Sequence, residues 1–209
     1  VRVLLSAGFI LAGLFLLFYP QWETAVSAQK QEQLIEAFEQ LSNVSEQIET
    51  AASEDQPAPK IQEPLAMLEG ARGVIRIPKI DLEMMIFEGA DKHALSKGVG
   101  LIEPDKEFGV NNVGLAGHRG ITHGKQFNRL DELTPNDEIE IKTKTATYQF
   151  VVVKAFVVDR TQVEVLEDQK KPLITLVTCT PVGAKDPKDR LIVQAEWKQP
   201  THLSPNTSY

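Results

Sequence analysis

Glu138–Val158 reads EIEIKTKTATYQFVVVKAFVV. Isoleucines alternate with charged residues in EIEIKT, and β-branched and aromatic residues dominate TYQFVVVKAFVV. This pattern belongs to two strands, Glu138–Thr143 and Thr147–Val158, with KTKTA as the turn between them. Working outward, short apolar runs recur at Gly73–Ile80 (GVIRIPKI), Met84–Phe87, Gly98–Ile102, Asn112–Gly117, Gln162–Leu166, Ile174–Thr178 and Leu191–Trp197. Each reads as a strand. Helical signals between them are short: Asp91 caps Asp91–Ser96, and Gln126–Leu133 has room for a turn or two. Roughly seven or eight short strands over residues 70–198 predict an all-β fold, a closed barrel or a sandwich. The barrel is the better solution because it leaves no long exposed edge.

The 209-residue chain has length for one domain plus appendages. Its formal net charge of −7 is unevenly placed: residues 21–69 hold two lysines against ten acids, whereas residues 70–209 hold 19 of each sign. The folded part therefore has no basic excess, which argues against nucleic acid as a partner. One cysteine excludes an intramolecular disulfide framework and any Cys-rich zinc module.

Between Arg2 and Gln21 lie 18 residues without a charge, VLLSAGFILAGLFLLFYP. At 1.5 Å per helical residue they approach the span of a hydrocarbon layer about 30 Å thick. Tyr19 and Trp22 stand where interfacial aromatics belong, and Arg2 faces Glu23 across the span. The segment is expected to be a transmembrane helix with its N-terminus inside and the rest of the chain outside. A cleaved signal peptide is the competing reading, with AVSA (Ala25–Ala28) as its late exit site.

From Gln29 to Ile48, Leu34, Ile35, Phe38, Leu41, Val44 and Ile48 recur at steps of three and four, the stripe of an amphipathic helix. That stripe can pack on the domain or on a second copy of itself. AASEDQPAPKIQEP then reads as an extended linker. The expected layout is an anchor at 1–22, a helical stalk and linker at 23–69, a β domain at 70–198 and a polar tail at 199–209.

Two residues bear nucleophilic chemistry. Cys179 ends the apolar run ITLVTC, and a cysteine there is by default a small buried hydrophobe. Its neighbours Thr178 and Thr180 carry hydroxyls, and Arg190 opens the next strand, RLIVQAEW. If those strands are adjacent through the loop Pro181–Asp189, the guanidinium reaches the thiol and can donate to an oxyanion. His118 ends an apolar run in LAGHRG, where glycines leave room for a chain to pass. His93 and His202 read as ordinary surface residues. His118 and His123 lack the helical HExxH spacing, which argues against a metal. A thiol with a histidine forms a nucleophilic pair, because a free thiol with a pKa of about 8.5 is mostly protonated at neutral pH.

The run Thr175–Cys179 (TLVTC), the upstream LAGHRG and the downstream RLIV resemble, in that order, the motifs of the sortase family of Gram-positive cysteine transpeptidases. GVIRIPKI and the GVG of Gly98–Gly100 are also similar to sortase sequence blocks. The resemblance covers about residues 70–198 and implies an eight-stranded barrel, a membrane anchor and an extracellular site. It implies that Cys179, His118 and Arg190 are catalytic and that Thr178 and Thr180 bind substrate. The implied reaction cleaves an LPXTG-like sorting signal, forms a thioacyl-enzyme and transfers the substrate protein to a cell-wall amine. The implied partners are sorting-signal-bearing surface proteins and a cell-wall precursor or peptidoglycan amine.

Residues 50–70 contain no Asp-Pro lid element and the tail THLSPNTSY has no apolar run, which favours a single-anchor, class A- or D-like type over a pilin-polymerising one. No cofactor is assigned. Glu103, Asp105 and Glu107 read as solvated loop acids, with Ca²⁺ binding as the alternative. Two other functions compete: a tethered thiol peptidase that ends in hydrolysis, and a non-catalytic anchored β-module with Cys179 as core.

Overall fold

Eight strands form the domain: β1 (Ala71–Ile77), β2 (Leu82–Glu88), β3 (Val99–Leu101), β4 (Asn112–Ala116), β5 (Glu138–Lys142), β6 (Thr147–Asp159), β7 (Leu173–Thr180) and β8 (Asp189–Trp197). The computed structural model describes residues 29, 31–40, 68–120 and 126–199. The expected membrane span, the rest of the stalk and linker, His123 and the tail from residue 200 lie outside the described residues. Among the described residues no helix is long and apolar enough to cross a membrane.

The strands close into a barrel in the order β1-β2-β3-β4-β7-β8-β6-β5, with β5 pairing back onto β1. Closure satisfies the backbone groups that an open sheet would leave along its edges. The β2–β3 and β4–β7 pairs are parallel and all others antiparallel. Alternate residues turn inward and fill the barrel: Ile75 and Ile77, Met84 and Ile86, Val113 and Leu115, Ile139 and Ile141, Phe150 and Val152, Ile174 and Leu176, Val193 and Ala195. Phe127 and Leu130, from the 3-10 helix Gln126–Glu132, plug one end of this core.

The helix expected at Asp91–Ser96 is α2 (Lys92–Lys97), with the Asp91 carboxylate accepting from the Ala94 N–H at 2.8 Å. The segment expected as a strand at Gln162–Leu166 is instead a 3-10 helix, Val163–Leu166. No strand edge is open to it. Its carbonyls are taken by side chains rather than by a ladder, as described below.

Residues 31–40 form α1, which packs on the barrel's outer surface. Leu34, Ile35 and Phe38 are buried against Ala71, Val74, Met85, Phe87 and Ala94. Burying each large side chain contributes about 1.5–3 kcal/mol. This contact explains why β2 reads LEMMIFE: Met84 and Ile86 face the barrel interior, and Met85 and Phe87 face the helix. The Gln31 amide accepts from the Met85 N–H at 3.3 Å and donates to the Lys97 carbonyl.

A charge cluster seals the far end of α1. Arg76 pairs across the sheet with Glu83 on β2 at 2.7 Å and Glu140 on β5 at 3.0 Å, and reaches Glu39 on the helix at 2.8 Å. Lys142 joins the same Glu39 carboxylate at 3.0 Å. Hydrogen bonds from Arg76 first and Lys142 second hold the Glu39 carboxyl below the ordinary glutamate value of 4.5. A depressed folded-state pKa stabilises docking above the unfolded value and loses that effect as pH falls through the folded value. The protection factors of residues 31–40, taken against the intrinsic exchange rate at each pH, are therefore expected to fall as the pH drops below the ordinary glutamate value. In Glu39→Gln that fall is expected to shrink, and an identical acid response in the variant would contradict this role.

Candidate active site

Alternation along β7, β4 and β8 places the chemistry outside the barrel. Ile174 and Leu176 lie in the core, so Thr178 and Thr180 turn inward while Thr175, Val177 and Cys179 turn outward. On β8 Leu191, Val193 and Ala195 point in, leaving Arg190, Ile192 and Gln194 outside. Cys179 and Arg190 are direct partners in the antiparallel β7–β8 ladder. Side chains of such a pair share a face, with Cβ atoms about 4.5–5.5 Å apart.

β4 runs parallel to β7 on its other side, with Ala116 opposite Val177. The pairing continues past the end of β4. The Gly117 N–H donates to the Val177 carbonyl at 3.1 Å, and the Thr178 hydroxyl donates to the Gly117 carbonyl at 2.7 Å. Two residues beyond the last ladder pair, this register sets His118 opposite Cys179. His118 is exposed, and Cys179 and Arg190 are half-buried. The three side chains thus come from neighbouring strands, at one end of one face.

The Arg190 Nη1 donates to the carbonyls of Pro187 at 2.9 Å and Asp189 at 3.0 Å. These bonds orient the guanidinium, and among the described residues no acceptor engages its Nε or Nη2. No hydrogen bond joins the Cys179 thiol to the His118 imidazole as the structure stands. In substrate-free sites such bonds commonly close only when substrate arrives.

The threonines are placed differently from expectation. Thr178 is buried, with its hydroxyl spent on the Gly117 carbonyl, and Thr180 accepts from the Arg119 guanidinium at 3.0 Å. Both turn toward the barrel interior rather than line the outer face. The space beside Gly117, expected to admit a passing chain, is filled by Phe127: a Cβ there would lie 2.6 Å from its ring.

One wall of the outer face is the β6–β7 connection. It starts at Arg160 beside Asp186, and its Leu166 packs over Gly114 on β4. Four consecutive residues of this connection are held. Val165 O accepts from Asn112 Nδ2 at 2.9 Å and Gln194 Nε2 at 3.0 Å, and Glu167 O from Asn112 Nδ2 at 3.0 Å. Leu166 O accepts from Lys106 Nζ at 2.6 Å. The Asp168 carboxylate accepts from the Asn112 N–H and the Asn111 amide, which hold its pKa below the ordinary value. Beneath lies a buried chain in which Gln194 Nε2 donates to Thr175 Oγ1 at 3.1 Å and Thr175 Oγ1 to Asn112 Oδ1 at 2.7 Å. Thr175→Val strips a partner from both amides and is expected to cost about 1–3 kcal/mol in urea unfolding. A stability equal to the parent would show that the chain contributes nothing.

Of the acids considered for calcium, Glu103 is engaged by a lysine. Glu103 pairs with the ammonium of Lys106 at 2.9 Å, which also lies 3.6 Å from Asp168. A lysine of the chain supplies the positive charge between the two loops. Among the described residues no cluster of carboxylates, imidazoles and thiols is arranged to hold a metal ion.

Residues 75–198 match the family model of the sortase domain. The chain belongs to the sortase family. A sortase A of Listeria monocytogenes is 25% identical over 179 residues, covering 81% of this chain and 80% of the relative. A sortase D of Bacillus subtilis is 34% identical over 117 residues, covering 53% of this chain and 55% of the relative. The structure of a Clostridium perfringens sortase D5 transpeptidase superposes with a TM-score of 0.61 at 26% identity, covering 81% of this chain and 99% of that one. The expected eight-stranded barrel and the likeness to sortases A and D both hold. As a sortase, the chain is a cysteine transpeptidase.

Sequence reasoning passed over Arg119, Asp131, Lys106 and the buried Asn112–Thr175–Gln194 chain. For Arg119 a signal was present: it directly follows His118, and alternation sends it to the other face.

Proposed function

We propose that Cys179 is the nucleophile, His118 the proton carrier and Arg190 the oxyanion donor of a reaction on an LPXTG-like sorting signal. The thiolate attacks the carbonyl carbon of the scissile peptide bond. The tetrahedral oxyanion is met by Nε and Nη2 of Arg190, already aimed by the Pro187 and Asp189 carbonyls. Collapse breaks the C–N bond, and protonated His118 gives its proton to the departing amine. The remaining half is a thioester on Cys179. An incoming amine loses a proton to His118, attacks the thioester and expels the thiolate.

The observation that carries this reading is the register: Cys179 opposite Arg190, and His118 two residues past the Ala116–Val177 pair, all on the outer face. The acceptor is a cell-wall amine and the donor a sorting-signal-bearing surface protein. The uncharged residues 3–20 anchor the enzyme in the membrane, with Arg2 inside and the barrel outside.

The test is product analysis of a labelled LPXTG-type peptide with and without triglycine as amine. A transfer product that appears only with the amine is expected. Hydrolysis at one rate in both arms would assign a thiol peptidase instead, and an unaltered peptide in both would overturn the substrate class.

A further inference from the structure

We propose that Arg119 sets the separation of His118 and Cys179 by tying their two strands together on the opposite face. The inference rests on His118 and Cys179 being the reacting pair. In the register that continues from β4–β7, His118 stands opposite Cys179 and Arg119 opposite Thr180. Alternation sends the first pair outward to the site and the second pair inward to the barrel end. The inner pair is bonded: Arg119 Nη1 donates to Thr180 Oγ1 at 3.0 Å. Nη2 of the same guanidinium meets Asp131, on the 3-10 helix Gln126–Glu132, at 2.8 Å.

Two features separate this arginine from a surface ion pair. Its side chain is only 5% exposed. Its Nε is buried and has no hydrogen-bond partner among the described residues. A guanidinium held so far from water with one donor unsatisfied is not an arrangement that stability favours. What it supplies is geometry, because a planar fork held at both nitrogens fixes direction as well as distance. The tie also falls where the backbone stops providing one: the last β4–β7 ladder bond is Gly117 N–H to Val177 O. Beyond it the histidine segment is held by the Phe127 N–H to His118 carbonyl bond at 3.1 Å and by Arg119. Arg119 is thus a positioning residue that acts through His118.

The experiment uses Thr180→Val and Thr180→Ser, with Arg119→Gln beside them, in peptide turnover and in alkylation of Cys179 by iodoacetamide. Thr180→Val keeps the side-chain shape and the Arg119–Asp131 pair and removes only the tie. It is expected to lower kcat about 10²-fold, the effect of a misplacement near 1 Å, with KM nearly unchanged. Thr180→Ser keeps the hydroxyl and is expected to behave as the parent. Arg119→Gln should match Thr180→Val, and if it does not fold the threonine pair decides. His118→Ala is expected to slow alkylation, Thr180→Val to slow it comparably, and the double variant to slow it no further. An equal kcat loss in Thr180→Ser, a KM rise at constant kcat, or additive alkylation effects would overturn the positioning role. An unchanged turnover in His118→Ala would show instead that the underlying pair is wrong.

Discussion

Cys179→Ala is expected to lower kcat/KM for a sorting-signal peptide by at least about 10³-fold while leaving the fold intact. The thiol turns outward from β7, is half-buried and contributes nothing to the barrel core, so its removal opens no core cavity. The stability change should stay within about 0.5 kcal/mol, as for surface positions away from special features. Peptide turnover read beside a thermal melt separates the two effects. His118→Ala and Arg190→Ala belong to the same unit and should each cost about 10²-fold or more, with non-additive combination. Arg190→Lys should not rescue, because an ammonium cannot both hold the Pro187 and Asp189 carbonyls and present two further coplanar donors. Turnover retained in Cys179→Ala, or a collapse of the melt, would return the cysteine to the status of a packing residue.

The second large effect is expected at Gly117→Ala. A Cβ at this position would lie 2.6 and 2.7 Å from the Cδ2 and Cγ atoms of Phe127, whose ring is fully buried in the barrel end. Either the ring leaves its place in the core or the chain carrying His118 moves away. The first outcome is overpacking at about 1–3 kcal/mol. The second costs about 10²-fold in kcat if the imidazole shifts by an ångström. Urea unfolding and turnover together show how the strain divides, and Phe127→Leu in the same background should recover part of the loss by coupling. A variant that melts and turns over like the parent would mean that Phe127 does not seat the histidine segment.

The strands were legible because nearly all obey a period of two around one core; Cys179 and Arg190 were legible as neighbours once TLVTC and RLIV were read as adjacent strands, and His118 through the chemistry of a thiol–histidine pair and the sortase motifs. The exceptions have physical causes. Met84–Phe87 breaks the alternation because α1 covers its outer side, and no pattern within that run names the covering element. Val163–Leu166 carries the apolar composition of a strand, but lysine, asparagine and glutamine side chains far along the chain claim its carbonyls. Thr178 and Thr180, implied as substrate-binding, turn inward, a direction that follows only once Ile174 and Leu176 are known to face the core. The burial of Arg119 leaves no mark in the sequence, because a charged residue beside a glycine signals exposure by composition and its partners Asp131 and Thr180 are distant along the chain.

The central claim of the proposed function is that the barrel holds a sulfur, an imidazole and a guanidinium together at the ends of three adjacent strands. That claim is tested most directly by intact-mass analysis of the enzyme mixed with a sorting-signal peptide in the absence of amine. The expected result is a mass increase equal to the N-terminal half of the cleaved peptide, localised to Cys179 and released by hydroxylamine as a thioester would be. Peptide turnover with no adduct, or with the adduct on any other residue, would contradict the account.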